Sequence, residues 1–115
     1  FTSLGQLRYL SALQYVDVVV GNSSSGLIEA PSFKIPTVNI GERQKGRIKA
    51  KSVVDCDPTC ESITNALKTV FSASFRGNLK DMVNPYGTGG ASKKIKSILK
   101  DYPLNNILKK SFYDL

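Results

Sequence analysis

Val16-Asp17-Val18-Val19-Val20-Gly21-Asn22-Ser23-Ser24-Ser25-Gly26-Leu27-Ile28-Glu29-Ala30 is the stretch that decides the fold of this chain. A short β-branched run carrying a single charge reads as a strand buried on both faces, the type that parallel sheets use. The small residues after it form a loop, and Leu27 to Ala30 start a helix, with Pro31 early in that helix or ending a short turn. Strand, loop and helix in this order make the βα unit of an open α/β sheet, whose ligands sit beyond the carboxyl ends of the strands.

The same alternation continues on both sides. Leu4, Leu7, Tyr9, Leu10 and Leu13 cluster at helical spacing and predict an amphipathic helix from Ser3 to Tyr15. Downstream, Pro36-Thr37-Val38-Asn39-Ile40 reads as a strand closed by Gly41, and Ser52-Val53-Val54-Asp55 as a shorter one. Asp57-Pro58-Thr59 is a helix-start signal, with Asp57 or Thr59 as the cap and Pro58 in the first turn. The helix it opens carries Ile63, Leu67, Val70 and Phe71 on one face and is expected to reach Arg76, where Gly77 stops it. A turn-rich connection, Asn84-Pro85-Tyr86-Gly87-Thr88-Gly89-Gly90, leads to a helix marked by Ile95, Ile98, Leu99 and Tyr102 and broken by Pro103. Leu104, Ile107, Leu108 and Phe112 then belong to a short helix or tail. The expected class is α/β, part of a Rossmann-like open parallel sheet. Three strands are few for such a sheet and the chain opens at Phe1, so a piece of a longer protein is expected.

With 115 residues, 41% of them hydrophobic and 22% charged, the chain is one domain's worth of sequence with a modest core. No apolar run reaches the roughly 18 to 20 residues of a membrane span, and the start lacks a secretory pattern, so a soluble cytoplasmic protein without a membrane partner is expected. The absence of histidine excludes Ser-His-Asp and Cys-His machinery, and histidine-ligated metal, within this chain. Cys56 and Cys60, spaced C-x3-C, cannot complete a tetrahedral zinc site and read as reduced thiols. No metal or other cofactor is expected. Sixteen Lys and Arg against nine Asp and Glu leave a formal charge of +7, which fits an anionic partner or a solvated basic surface.

The loop from Gly21 to Gly26 joins a buried strand to a helix start, where backbone N–H groups face anions. Hydroxyls of Ser23, Ser24 and Ser25 can donate to phosphate oxygens, Gly26 lets a ligand approach the backbone, and a helix dipole adds about 0.3 to 1 kcal/mol. Glu29, a turn later, can accept from the paired hydroxyls of a ribose. A plain capping role for the serines is the competing reading. A Walker loop is excluded because no Lys follows the second glycine, and a nucleophile elbow because neither its motif nor a histidine is present. In Gly41-Glu42-Arg43-Gln44-Lys45-Gly46-Arg47-Ile48-Lys49-Ala50-Lys51, five basic residues fall on alternate positions after a strand end. Arg43 can thus reach a diphosphate held by the serine loop. Taken alone, the charge run reads first as a solvated face. It lacks the aromatic interleaving and recognition helix of a nucleic-acid binder, so no nucleic acid partner is expected.

Gly21 to Phe33, Pro36 to Gly41 and Asn84 to Ala91 together closely resemble the UDP-N-acetylglucosamine 2-epimerases, in the right order over most of the chain. Arg43-Gln44-Lys45-Gly46-Arg47 looks like the hydrolysing branch, which makes N-acetylmannosamine for sialic acid; the non-hydrolysing branch typically has Thr-Glu-Arg-Pro-Glu there. Enzymes acting on UDP-diacetamido-trideoxy sugars look similar in this region. The resemblance implies a glycosyltransferase-B-like architecture, with residues 1–102 as the C-terminal part of the UDP-binding domain and 103–115 as a tail. It matches Ser23 and Ser24 to positions that bind the UDP diphosphate, Glu29 to the carboxylate on the uridine ribose and Arg43 to an arginine of the same site. The implied chemistry is loss of UDP to give a 2-acetamidoglucal, then addition of water that inverts C2. Acid and base groups, carboxylates with an assisting histidine, are implied upstream. This chain alone is expected to be inactive. The implied partners are a UDP-sugar, the upstream N-terminal domain and a further copy in a homo-oligomer. Two rivals stand beside this reading: the nucleotide-sugar half of a glycosyltransferase of the same architecture, and a non-catalytic basic binding domain.

Overall fold

A computed structural model describes residues 3–105 of the chain. The elements are α1 (Gly5–Leu13), β1 (Val19–Gly21), α2 (Ser25–Ile28), a 3-10 turn (Ala30–Phe33), β2 (Thr37–Ile40), β3 (Val53–Cys56), α3 (Cys60–Phe71), α4 (Ala73–Gly77) and α5 (Ala91–Asp101). The strands form a three-stranded sheet in the order β1-β2-β3. Both pairings are parallel, with Val19 opposite Thr37 and Thr37 opposite Val53. The expected open parallel α/β sheet is thus present. Of the expected tail, Ile107, Leu108 and Phe112 lie outside the described residues.

The sheet is organised around β2, in which Thr37, Val38 and Asn39 are all buried. Side chains alternate across a strand, so its two faces meet different neighbours. Val38 packs with Ala66 and Val70 of α3, and Val18, Ile40, Val54 and Leu67 surround them. Thr37 meets α2, where its Oγ1 donates to the Gly26 carbonyl at 2.9 Å. A second cluster, Ala50, Leu79 and Met82, closes the amino-end side, and Phe75 of α4 touches both clusters.

Several boundaries differ from the expectation, each for a local reason. The strand expected at Val16 begins at Val19, and Val16 and Val20 are 42% and 48% exposed. Burial on both faces belongs to β2 instead, which has α2 against its Thr37 face and α3 against its Val38 face. Thr59 is the cap of α3, its Oγ1 accepting from Ser62 N–H at 3.2 Å, so Pro58 precedes the cap rather than occupying the first turn. The helix does not continue to Arg76. Ser72 is extended, ends α3 and caps α4 by accepting from Phe75 N–H at 3.3 Å. Phe71, expected in the core, is half-exposed and lies under the Arg76 guanidinium, 5.0 Å from its ring centre. Pro31 sits within the 3-10 turn, where its missing N–H ends the α2 hydrogen-bond ladder. Only Leu13 of α1 is buried, and α5 buries none of its residues. Among the described residues, no helix is long and apolar enough to cross a membrane.

The contact between α2 and β2 leaves no room for a side chain. A Cβ on Gly26 would overlap the Thr37 methyl. Gly26→Ala is therefore expected to destabilise the protein by about 1 to 3 kcal/mol, the usual range for overpacking. Thr37→Ser, which removes that methyl and keeps the hydroxyl, should return most of the loss in the double variant, read from urea unfolding midpoints.

Candidate functional site

Because β1, β2 and β3 run parallel, their carboxyl ends share one edge, and the loops that follow them face a common crevice. Gly21 ends β1 at φ +146°, a value that favours glycine, and the serine loop leaves from it. The loop that follows β2 crosses back to it. Gln44 Nε2 donates to the Asn22 carbonyl at 2.7 Å, and Arg43 Nη1 donates to the same oxygen at 3.2 Å. The expected approach of Arg43 to the serine loop is thus found, made to the backbone of the loop. Gln44 is 2% exposed, so its bond is shielded from water while Arg43 stays at the surface. A doubly accepting carbonyl fixes the peptide plane, and with it the direction in which the following serines leave β1.

The serines themselves are partly committed. Ser23 Oγ accepts from Ser25 N–H at 3.3 Å and the Ser23 carbonyl accepts from Gly26 N–H at 3.3 Å. These two amides, expected to face a ligand, are used inside the loop: the Ser23 side chain folds back on the amide two residues on, and its carbonyl closes a turn on the amide three residues on. The Ser25 hydroxyl bonds the Tyr9 hydroxyl of α1. Ser24 precedes α2 without a side-chain capping bond, so the plain capping role fails for it. Gly26 is buried, its missing side chain taken up by Thr37. Glu29 follows α2, its N–H donating to the Ser25 carbonyl at 3.0 Å. Its carboxylate is half-buried, with Oε2 shielded and without a hydrogen-bond partner among the described residues. A shielded acceptor of this kind favours a donor that arrives with a ligand.

Two lysines of the basic loop are paired, one within the loop and one with β3. Lys45 Nζ meets Glu42 Oε1 at 2.9 Å and Lys49 Nζ meets Asp55 Oδ2 at 2.7 Å. Asn39 Nδ2 donates to the other oxygen of Asp55, also at 2.7 Å, linking the loop to β2 and β3. Gly41, Lys45, Lys49, Asp55 and Ser62 line a cavity of about 320 Å³ at this end of the sheet. Burial pushes the Asp55 carboxyl up, but the bonds from Lys49 and Asn39 and the Lys49 charge outweigh it and hold the group below its ordinary 3.8. The Cys56 thiol is pushed up by burial and by the charges of Asp57 and Asp55. Cys56 and Cys60 are unpaired, and no cluster of metal-ligating side chains occurs among the described residues.

Gln44, Asn22 and Tyr9 are site residues that the sequence does not flag. Gln44 is hidden in a charge run, and glutamine is a residue type more often exposed than buried. Tyr9 counts by spacing as part of an apolar stripe.

Fold and site together define a segment of an open parallel α/β domain whose strand-end loops build a polar, basic crevice. Residues 1–100 match the family model described as UDP-N-acetylglucosamine 2-epimerase, and the chain belongs to that family. Over its whole length it is 41% identical to a Campylobacter jejuni protein named GDP/UDP-N,N'-diacetylbacillosamine 2-epimerase (hydrolyzing), covering 30% of that protein. It is 38% identical over 93% of its length to polysialic acid biosynthesis protein P7 of Escherichia coli, covering 28% of it. A UDP-N-acetylglucosamine 2-epimerase of Neisseria meningitidis is 28% identical over the whole chain, which again covers 30% of the relative. The chain thus spans less than a third of these relatives.

The Asp55 pairing sets an acid limit. A carboxyl held below its unfolded value contributes stability that is present above pH 3.8 and is lost as pH falls through the folded value. Between about pH 5 and about pH 2.5, thermal midpoints of Asp55→Asn should therefore fall less steeply than those of the unaltered protein. The difference should shrink in high salt, because the pair is half-exposed.

Proposed function

We propose that this chain is the UDP-binding part of a hydrolysing UDP-N-acetylglucosamine 2-epimerase, which converts UDP-N-acetylglucosamine to N-acetylmannosamine and UDP for sialic acid synthesis. The observation that carries the reading is the shared Asn22 carbonyl, through which Arg43 and Gln44 of the β2 loop are held against the serine loop. This brings a permanent positive charge to the Asn22 carbonyl, at the start of the loop that carries the Ser24 hydroxyl and leads through α2 to Glu29. A diphosphate suits the charge and the Ser24 hydroxyl, and a ribose suits Glu29, with its Oε2 accepting a hydroxyl.

In this function the segment holds the leaving group. As the bond from C1 to the diphosphate oxygen breaks, negative charge collects on UDP, and Arg43 with the loop hydroxyls stabilises it. The 2-acetamidoglucal left behind adds water with inversion at C2. The carboxylates and the histidine for the proton transfers belong to an upstream domain of the same protein, and residues 1–102 form the C-terminal part of the UDP-binding one. The protein works in the cytoplasm.

The sugar has a second reading, favoured by the names of two relatives. The Campylobacter jejuni protein and a Legionella pneumophila protein 38% identical over 86% of the chain are both named for UDP-N,N'-diacetylbacillosamine and hydrolysis. A 2,4-diacetamido sugar on the same UDP uses the same segment. The nucleic-acid rival is weakened by the partly buried pairing of Lys49 with Asp55, which draws that cation out of the basic run.

In the whole protein, Glu29→Ala and Arg43→Ala should each weaken UDP binding about 10- to 100-fold, the worth of a hydrogen bond to a charged group. Titration calorimetry with UDP measures this, and unchanged affinity in both variants refutes the site. Release of UDP together with a free amino sugar, followed on both UDP-sugars, separates epimerase from glycosyltransferase and identifies the sugar.

A further inference from the structure

The turn Asn84-Pro85-Tyr86-Gly87 is left without a role by the reading above, yet it is tied to both halves of the candidate site. It is a β-turn closed by Gly87 N–H donating to the Asn84 carbonyl at 3.1 Å, with proline second and glycine at φ +123° last. Asn84 Oδ1 accepts from Tyr86 N–H at 2.9 Å, which completes an Asx-turn. The amide nitrogen is then free to point away from the turn. Its two protons go to the Ile28 carbonyl and to Ser32 Oγ, both at 2.8 Å. Since the Tyr86 N–H needs an acceptor and the Ile28 carbonyl a donor, only one orientation of the amide serves all three partners.

The target of this bond matters. The Ile28 carbonyl and the Glu29 N–H belong to one planar peptide unit. Its N–H end is held by the Ser25 carbonyl at 3.0 Å and its C=O end by Asn84, from 56 residues away. No helical N–H takes that carbonyl, because α2 ends at Ile28 and Ser32 N–H is drawn to the Glu29 carbonyl at 3.0 Å. Asn84 therefore sets the backbone from which the Glu29 side chain projects. At the other end of the turn, Tyr86 Oη donates to the Ile48 carbonyl at 3.0 Å, in the basic loop whose first residues hold Asn22. Serine loop, α2, turn and basic loop are thus linked in a closed circuit of chain and hydrogen bonds.

We propose that Asn84 and Tyr86 are positioning residues of the nucleotide site, Asn84 fixing Glu29 for the ribose and Tyr86 fixing the basic loop that carries Arg43. This rests on the assignment of Glu29 and Arg43 to UDP made above. Neither residue touches the nucleotide; each acts through the backbone it holds. A turn that only stabilised the fold would affect binding whether or not Glu29 were present. A positioning residue acts through Glu29 alone.

The test is a double-mutant cycle in the whole protein, with UDP affinity from titration calorimetry as the readout. Asn84→Ser keeps an acceptor for Tyr86 N–H and is too short to reach Ile28; Asn84→Ala is the second variant should the first misfold. Either should weaken UDP binding about 3- to 10-fold in the unaltered background and by less than about 2-fold in a Glu29→Ala background. Tyr86→Phe, which loses only the bond to Ile48, should behave in the same way against Arg43→Ala, and Val83→Ala, an exposed neighbour, should leave affinity unchanged. Equal losses in both backgrounds, or no loss from Asn84→Ser and Asn84→Ala, overturn the positioning role while leaving the UDP site intact. If Glu29→Ala itself binds UDP normally, the site assignment fails first and the positioning role falls with it.

Discussion

Thr37 against Gly26 is the contact on which the rest of the site depends. The threonine hydroxyl reaches the glycine carbonyl at 2.9 Å only because no side chain stands between the helix and β2. That closeness seats α2 on the central strand, buries Leu27 and Ala30 completely, and places the serine loop at the carboxyl edge of the sheet. A helix of four residues has almost no intrinsic stability, so its position comes from this packing. The other face of β2 is filled by Val38 against Ala66 and Val70, which sets α3 opposite α2.

From that base the loops hold one another. The Asn22 carbonyl joins the β2 loop to the serine loop, Asp55 joins it to β3 through Lys49 and Asn39, and Asn84 closes the far side at Ile28. Irregular segments usually move, and these are restrained by side-chain amides reaching across long stretches of chain. The result is a crevice whose charge is arranged unevenly. Lys45 and Lys49 are paired within it, whereas Arg43 meets a neutral carbonyl and keeps most of its donors.

The βα order, the three strands and the helix that follows Thr59 were legible from short β-branched runs and capping alone, since strand-forming runs and the demands of a helix start are local matters. Arg43 beside the serine loop was legible too, because parallel strands bring successive loops to one edge. Three features were not. The break at Ser72 is invisible to periodicity, as α4 resumes with Phe75 packed against the same core. The burial of β2 rather than β1 depends on which strand has helices against both faces. The commitment of the Ser25 and Gly26 amides within the loop depends on the Ser23 hydroxyl taking the first and the Ser23 carbonyl the second, which composition leaves open.

By itself the sequence determined the class of fold, the edge of the sheet on which the strand-end loops meet, and the residue types in those loops: hydroxyls, one carboxylate and an arginine. Each follows from patterns a few residues long. Tertiary structure alone decided which of these groups are engaged and by what. Gln44 and Asn84 become structural amides, Lys49 is drawn to Asp55, and Glu29 is left with a shielded oxygen and no partner among the described residues. The physical reason is distance along the chain. These bonds join residues from 6 to 56 positions apart, and a hydrogen bond between them exists only once packing has carried both partners to the same place.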